Sequence, residues 1–310
     1  MRWGIRRNSY RVAPGLYALG NPDAAAPVLV TANYKMTFDV VRHDAAGLDA
    51  WILALDTQGV NVWCAAGEGT FGTEEVIRKV TESRLSDIVR HRRLLFPQLG
   101  APGVAAHEVR TRCGFSVVYG PVRARDIRPF LAAGSKATPA MRRVVFPMMD
   151  RLVLTPVEIT GLLRPAGWAA VVLFLLAGVG PGVFSFGAAW ERGFAAVAAL
   201  AAGILAGAVV TPLLLPWLPG RAFSVKGGLA GGVLAACAVM WERGALEAPA
   251  ALALLLAMTA VSSFVAMNFT GATPFTSPSG VEKEMRRALP VQAGLTVLAG
   301  LLWVGGAFLR

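Results

Sequence analysis

A cysteine in a glycine-rich segment is the residue of this sequence best suited to ligand chemistry. Cys64 lies in NVWCAAGEGTFGT, residues 61–73, where small residues flank it and Gly67, Gly69 and Gly72 follow. A thiolate binds soft metals, and the absent glycine side chains leave one face open to a flat ligand. The residues alone leave two alternatives, because Cys64 is either a reactive or metal-ligating thiol or an ordinary buried cysteine.

Other kinds of site find less support in the sequence. Cys64, Cys113 and Cys237 are far apart and form no C-x-x-C pair, so this chain alone assembles neither a zinc site nor an iron–sulfur cluster. We expect Cys113 and Cys237 to be buried structural residues and the three isolated histidines to be structural or surface residues. Nucleotide-binding motifs such as G-x-G-x-x-G are absent. Any low-potential electrons must therefore come from another protein.

The elements that position Cys64 follow an alternating pattern of short apolar runs and polar helical stretches. This pattern predicts a small Rossmann-like α/β layer with a parallel sheet, in which ligands bind beyond the carboxyl ends of the strands. Thr31 ends the first predicted strand, and the segment around Cys64 follows the second. The four predicted strands are residues 27–31, 51–55, 93–96 and 115–119.

The composition indicates that part of the chain lies in a membrane. The sequence is 55% hydrophobic with a mean hydropathy of +0.54. Residues 1–164 hold 22 of the 30 Lys and Arg residues and 14 of the 19 Asp and Glu residues. We predict a cytoplasmic α/β domain at 1–134, a connector along the membrane surface at 135–164, and an all-α transmembrane domain of five helices at 165–310. The connector contains X-Pro steps and four arginines.

The charges of the loops predict the orientation in a cytoplasmic (inner) membrane. Five apolar segments, at about 166–189, 194–218, 225–241, 249–269 and 288–309, are each close to the ~20 residues that cross the hydrocarbon. Arg221 and Lys226, and the group Lys283, Arg286 and Arg287, lie in loops on one side, and we expect that side to be cytoplasmic. The last residue would then be outside. Scattered arginines without a nucleic-acid motif favour lipid headgroups or an acidic protein as partners, rather than nucleic acid.

Several segments resemble a known family of membrane proteins. NVWCAAGEGTFGT, together with GNPDAAAPVLVTANYKMTFD before it, resembles the corrinoid protein of microbial mercury methylation, the HgcA family. KATPAMRRVVFPMMDRLVLTPVEITG and NFTGATPFTSPSGVEKEMRRALP also resemble segments of that family, so the resemblance extends over nearly the whole chain. The family is similar in turn to the corrinoid domain of the acetyl-CoA pathway's corrinoid iron–sulfur protein.

The resemblance implies a cobalt corrinoid of the cobalamin type. It implies a cap helix that places Cys64 under the corrinoid as the lower axial cobalt ligand, with Thr31 facing the cobalt region as a second catalytic residue and Asn33 nearby. The cofactor-binding residues that it implies are Asn33, Asn61, Val62, Trp63, Cys64, Ala65, Ala66, Gly67, Gly69 and Thr70.

The implied activity is methyl transfer. The protein would take a methyl group from a folate-linked donor and transfer it to Hg(II), giving methylmercury, and a two-cluster [4Fe-4S] ferredoxin would reduce the cobalt. Glu68 stands where the family usually has lysine, which leaves open a corrinoid methyl carrier of the same architecture with a different acceptor. A membrane sensor or scaffold is the alternative from another class.

Two surfaces are candidates for partner contacts. The ferredoxin is expected to dock on the arginines at positions 90, 92 and 93 or on those at positions 123, 125 and 128, although either group is also explained as a solvated surface. The polar loop from Phe269 to Leu289 is either a headgroup-bound linker or a segment that packs on the cytoplasmic domain.

Overall fold

The computed structural model describes residues 3–4, 10–242, 246–269 and 278–309, and the contacts divide the chain into two compact units. The first unit is Ile5–Val145 and the second is Phe146–Arg310 with Arg2–Gly4. The connector predicted at 135–164 is thus divided, with residues 135–145 in the first unit and 146–164 in the second. The loop residues 270–277 and Arg243 lie outside the described residues.

A five-stranded sheet forms the centre of the first unit. Its spatial order is β1-β3-β2-β4-β5, with β1 antiparallel to β3 at one edge and all other neighbours parallel. The central strand VLVTA is buried along its whole length, as expected for a strand covered on both faces. The strands are β1 (Gly15–Leu19), β2 (Val28–Ala32), β3 (Ala50–Leu55), β4 (Arg93–Phe96) and β5 (Ser116–Tyr119).

Helices cover both faces of this sheet. Phe38 of α1 and Phe130 of α6 pack on one face, whereas Val76 of α3, Leu85 of α4 and Val109 of α5 pack on the other. The helices are α1 (Lys35–Asp44), α2 (Val62–Glu68), α3 (Thr73–Glu82), α4 (Leu85–Ile88), α5 (Ala106–Cys113) and α6 (Ile127–Ala132). Short 3₁₀ turns at Gln98–Gly103 and Ala124–Asp126 precede α5 and α6.

The predicted mixed α/β domain with a parallel sheet is confirmed, with two differences. The strand β1 was not predicted, because its pairing with β3 is set by contacts 35 residues apart, as between Tyr17 and Ile52, rather than by a local pattern. The helix expected from residue 100 to Arg112 is divided into a 3₁₀ turn that contains Pro102 and a separate α5.

Long apolar helices form the second unit. Within the described residues, five helical stretches of 19 to 30 residues are long and apolar enough to cross a membrane, with mean hydropathy between 1.6 and 2.3. They are α7 (Met148–Ala177), α8 (Phe186–Leu205) continued through a π-helical turn (Ala206–Val210) into α9 (Thr211–Leu213), α10 (Phe223–Trp241), α11 (Ala248–Asn268) and α12 (Pro278–Gly305).

The first apolar helix differs most from its prediction. The span expected at 166–189 is replaced by α7, which begins at Met148 and ends at Ala177, where a hairpin of β6 (Val179–Gly180) and β7 (Val183–Phe184) follows. The helix continues through Pro156, which cannot donate to the carbonyl of Leu152. The Thr155 hydroxyl donates to that carbonyl instead, at 2.9 Å, so the proline does not end the helix.

Small residues bring α10 and α11 close together. A Cβ added to Gly227 would lie 2.4 Å from the Cβ of Ala266, and one added to Gly231 would lie 2.5 Å from the Cβ of Ser262. The Ser262 hydroxyl donates to the Gly227 carbonyl at 2.6 Å. Packing of this kind is typical of helices in lipid, where close backbone contact replaces the hydrophobic driving force.

Candidate functional site

The strand order places a crevice at the carboxyl edge of the sheet. From the central strand β2 the chain crosses to β3 on one side and later to β4 on the other side. The connections after β2 and β4 therefore leave in opposite directions, and the carboxyl ends of these two strands border an opening. Ligands of open α/β sheets bind at such a switch point.

A cleft of about 370 Å³ occupies this switch point. Its walls come from the carboxyl ends of β2 and β4, one side of α1, the start of α2 and the segment after β5. The lining is mostly apolar and includes Tyr34, Phe96, Pro97 and Val122, and its polar side chains include Thr31 and Asn61. A largely apolar cleft with few polar groups is the usual form of a cofactor site, within the 300–1,000 Å³ range typical of such sites.

Asn61 starts the helix that carries Cys64. Its backbone is extended, with φ −67° and ψ 160°, and its Oδ1 accepts a hydrogen bond from the Cys64 N–H at 3.1 Å. Such a cap satisfies one of the free N–H groups of the first turn. The Nδ2 of the same side chain donates to Cys64 Sγ at 3.3 Å. One asparagine therefore begins the helix and holds the thiol.

Close backbone packing seats α2 on the 3₁₀ turn before α5. A Cβ added to Gly103 would lie 2.2 Å from the carbonyl oxygen of Phe71 and 3.0 Å from the Cα of Ala66, so only glycine allows this approach. Gly69 ends α2 in the left-handed conformation with φ 87°, and the Thr70 hydroxyl approaches the Ala65 carbonyl at 3.5 Å. Both ends of the helix are therefore fixed by residues of the predicted segment.

The two sides of α2 have different surroundings. Val62, Ala65 and Ala66 are buried against the protein core. Trp63, with 38% of its surface exposed, and the fully uncovered Gly67 lie on the open side, where an added Cβ at Gly67 would meet nothing within 4 Å. Cys64 is half-buried between the two sides. The helix thus presents a thiol beside the bare backbone of Gly67, with the Trp63 side chain on the same open side.

Thr31 has an unpaired hydroxyl at the floor of the cleft. The residue is 1% exposed, and its Oγ1 has no hydrogen-bond partner within the part of the chain that the structure describes. A buried hydroxyl without a partner costs about 1–3 kcal/mol. A ligand in the cleft that carries a polar group would supply the missing partner.

Asn33, in contrast, bonds the protein through both its amide oxygen and its amide nitrogen. It is 1% exposed, its Oδ1 accepts from Thr57 N, Thr57 Oγ1 and Gly59 N at 3.0 to 3.1 Å, and its Nδ2 donates to Asp56 Oδ1 at 3.1 Å. These bonds hold the loop between β3 and the start of α2. Asn33 therefore positions the segment around Cys64.

The other two cysteines differ from Cys64 in their surroundings. Cys113 Sγ donates to the Val109 carbonyl at 3.1 Å, and burial raises the pKa of this thiol, which keeps it protonated. Cys237 is exposed on the surface of α10, one of the apolar helices, where burial had been expected. Among the three, only Cys64 lies beside the cleft in the α/β unit.

The structure brings only some of the predicted site residues together. Thr31, Asn61, Val62 and Trp63 line the cleft, whereas Cys64 and Gly67 lie on the adjacent open side of α2. The side chains of Ala65 and Ala66 point into the core, Gly69 and Thr70 end the helix, and Asn33 holds the preceding loop. The segments after β4 and β5 were missed, although their position just after predicted strands, each with a proline, was a usable signal. The missed lining residues include Tyr34, Leu95, Phe96, Pro97, Pro121 and Val122.

The fold and the cleft define the first unit as an α/β domain with a ligand site at its switch point. Comparison with known proteins narrows the set of families to which this domain is similar. The sequence profile of the family described as CO dehydrogenase/acetyl-CoA synthase delta subunit matches residues 6–131. The match ends before the second unit begins at Phe146.

Relatives from archaea give a similar result. The chain is similar to the acetyl-CoA decarbonylase/synthase complex subunit gamma of Methanopyrus kandleri, with 35% identity over 127 residues, which is 40% of this chain and 27% of that protein. The subunits of the same name from Archaeoglobus fulgidus and Methanocaldococcus jannaschii are 32% and 31% identical over 127 residues, covering 40% of this chain and 27% and 26% of the relatives.

This chain spans about a quarter of the length of these relatives. The matches support the predicted kinship with the corrinoid protein of the acetyl-CoA pathway. They do not distinguish the mercury-methylating family within that kinship.

Proposed function

We propose that this chain is a membrane-anchored corrinoid methyltransferase that takes a methyl group from a folate-linked donor and transfers it to Hg(II). The observation that carries the proposal is the arrangement of Cys64, which Asn61 holds on the open side of α2, next to a switch-point cleft that contains the unpaired Thr31 hydroxyl. The kinship with acetyl-CoA pathway subunits and the sequence resemblance both favour a corrinoid as the ligand.

The residues of the site fit a corrinoid in their chemistry. A metal that is already held by a macrocycle needs one protein ligand, and the soft sulfur of Cys64 is such a ligand. The apolar walls of the cleft and the bare surface at Gly67 suit the flat apolar faces of a large macrocycle, and the Thr31 hydroxyl is available to one of the polar amide groups at the ring edge. When bound, a corrinoid supplies a cobalt centre that accepts a methyl group and passes it to an acceptor.

Each protein group then has a defined task. Cys64 would hold the metal and donate electron density to it, and such a ligand would favour methyl transfer with the electron pair to a soft cation such as Hg(II), after which the metal would need two electrons from the reductant. Asn61 fixes the thiol through its bond to Sγ, and a partner of this kind orients a metal ligand and tunes its donor strength. Trp63 covers the junction between the cleft and the open side of α2 and limits access of water. A two-cluster [4Fe-4S] ferredoxin supplies the electrons.

The second unit is proposed to anchor the protein in a bacterial or archaeal cytoplasmic membrane. Its five apolar helices have the required length, and their small-residue contacts suit lipid. Arg221, which precedes α10, and Arg286 and Arg287, which precede the apolar part of α12, favour a cytoplasmic position for these helix ends, so the α/β unit is inside and the C-terminus outside.

A carrier with the same architecture but another acceptor is the second candidate. Glu68 is exposed one turn after Cys64, so it lies on the same side of α2 as the thiol. A carboxylate in this place changes the charge that an acceptor or a partner meets, relative to the lysine usual in the mercury-methylating family.

Two measurements on the full chain in its membrane test the proposal. The visible spectrum of the purified protein should show a bound corrinoid, and its absence would favour a sensor or scaffold and contradict corrinoid chemistry. Membranes that contain the chain and its ferredoxin, supplied with a folate-linked methyl donor and a reductant for the ferredoxin, should then form methylmercury from isotopically enriched Hg(II). A corrinoid that becomes methylated without methylmercury formation would assign the protein to the second candidate.

A further inference from the structure

A cavity of about 500 Å³ lies in the second unit, between α7, α8, α11 and α12. Its walls are almost entirely apolar, with Leu162, Ala169, Ile204, Phe264 and Val297 among them. All four helices belong to the stretches that are long and apolar enough to cross a membrane. The cavity is independent of the cleft beside Cys64, because every residue that lines it belongs to the second unit.

One lining side chain is strongly polar. Gln292 is 6% exposed, and its Nε2 donates to the buried hydroxyl of Ser263 at 2.8 Å. Its Oε1 has no hydrogen-bond partner among the described residues. An amide oxygen without a donor is costly in an apolar medium, and polar groups inside membrane helices commonly mark a functional site. The cavity provides space for the missing donor.

The depth of Gln292 limits the kind of molecule that can provide this donor. Arg287 marks the charged end of α12, and five residues of helix place Gln292 about 7–8 Å deeper along the axis. At this depth phospholipids present glycerol esters, whose oxygens accept hydrogen bonds but cannot donate them. An unpaired amide oxygen requires a donor, so a free hydroxyl on the glycerol is the complementary group.

We propose that this cavity binds a lipid alcohol of the acylglycerol class, whose free glycerol hydroxyl donates to Gln292 Oε1 while its acyl chain lies along the apolar walls. The unpaired Oε1 matches a ligand with one buried hydroxyl, and the Thr296 hydroxyl, which also lines the cavity, already donates to the Gln292 carbonyl. The surrounding alanines and leucines provide the non-directional contacts that retain the chain.

Binding of two probes to the full chain in detergent tests this site. Monoolein carries hydroxyl donors, whereas methyl oleate has the same acyl chain and only acceptor oxygens. Native mass spectrometry should show one monoolein bound saturably, with methyl oleate about fivefold weaker, as expected for one neutral hydrogen bond. Gln292→Leu should make the two affinities equal. Thr259→Val removes a hydroxyl of α11 that does not line the cavity, so this control should leave the preference unchanged.

A second variant keeps the test decisive if Gln292→Leu does not fold. Ala169→Leu retains the amide but fills part of the cavity, and it should weaken both probes. Equal affinity of the two probes in the unaltered chain would overturn the proposal, as would a preference for methyl oleate. If neither probe bound, as expected if a water molecule pairs with Gln292, the proposal would also be overturned. Binding of a hydroquinone in place of monoolein would overturn it as well.

Discussion

The two ends of the parallel sheet carry clefts of nearly equal size but different chemistry. The carboxyl-edge cleft measures about 370 Å³ and the amino-edge cleft about 380 Å³. At the amino edge the polar groups are paired within the protein, since His91 Nε2 bonds the Ala26 carbonyl at 2.8 Å and Arg93 donates to Ser135 at 3.2 Å. At the carboxyl edge Thr31 is unpaired and a thiol lies adjacent. The volume of a cleft therefore does not identify a ligand site, whereas a buried polar group without a hydrogen-bond partner does.

The same comparison separates the two arginine groups that were predicted to dock a ferredoxin. Arg93 begins β4 and Phe96 ends it, so Arg90, Arg92 and Arg93 lie at the amino edge, about 10 Å of strand away from the cleft. Arg123 and Arg125 follow β5 directly, next to the cleft residues Val122 and Ala124. Of the six arginines, Arg123 and Arg125 are next to the edge where electrons would be needed, whereas Arg128 donates to the Ala46 carbonyl, which precedes β3.

The largest effect should come from removing the thiol. Cys64→Ala takes away the proposed metal ligand, so we expect methyl transfer to fall to background while circular dichroism of the protein stays unchanged. Cys113→Ala is the matched control, because burial raises the pKa of the Cys113 thiol, which donates to a backbone carbonyl and does not line the cleft. If methyl transfer persisted in Cys64→Ala, the thiol would have no part in the mechanism.

The next largest effect should follow from changing Asn61. Asn61→Ala loses both the helix cap and the bond to Cys64 Sγ, and a lost partner of a metal ligand typically lowers metal affinity about tenfold or more. Asn61→Asp retains a cap but cannot donate to sulfur, so it should keep the stability of the unaltered protein and shift the visible spectrum of the bound corrinoid. Identical spectra for Asn61→Asp and the unaltered protein would limit Asn61 to capping.

The sequence predicted the parallel strands of the sheet better than it predicted the boundaries of the elements around them. The strands β2 to β5 and the segment around Cys64 have local signals, namely apolar runs and a run of small residues. The edge strand β1 depends on distant pairing, and α7 continues past Pro156 because the Thr155 hydroxyl replaces the missing backbone donor. The family resemblance implies that Asn33 lies near the cofactor, but only the coordinates show that its amide bonds the loop before α2.

Thr31 tests whether the unpaired hydroxyl belongs to the site. Thr31→Val keeps the shape and removes the hydroxyl, so corrinoid retention should weaken by about 2- to 10-fold, as for one hydrogen bond, while the free energy of unfolding without ligand stays equal or rises. Thr57→Val is the contrasting variant, since it removes a bond to Asn33 and should lower stability. If Thr31→Val left corrinoid retention unchanged, the role of Thr31 in β2 would be purely structural.

The smallest expected effect is on the rate of cobalt reduction by the ferredoxin, and it compares the two edges of the sheet directly. Arg125 and Arg90 are both exposed, so either substitution should leave the fold intact. Arg125→Glu should slow cobalt reduction by the ferredoxin several-fold at low ionic strength, because opposite charges near the cleft speed encounter with an acidic partner. The difference should shrink as salt is added, since about 0.15 M salt screens exposed charges beyond ~8 Å.

Arg90→Glu, with the same change in net charge at the amino edge, should leave the rate close to that of the unaltered protein. Equal slowing by both variants would mean that total charge, rather than the carboxyl-edge surface, governs the encounter.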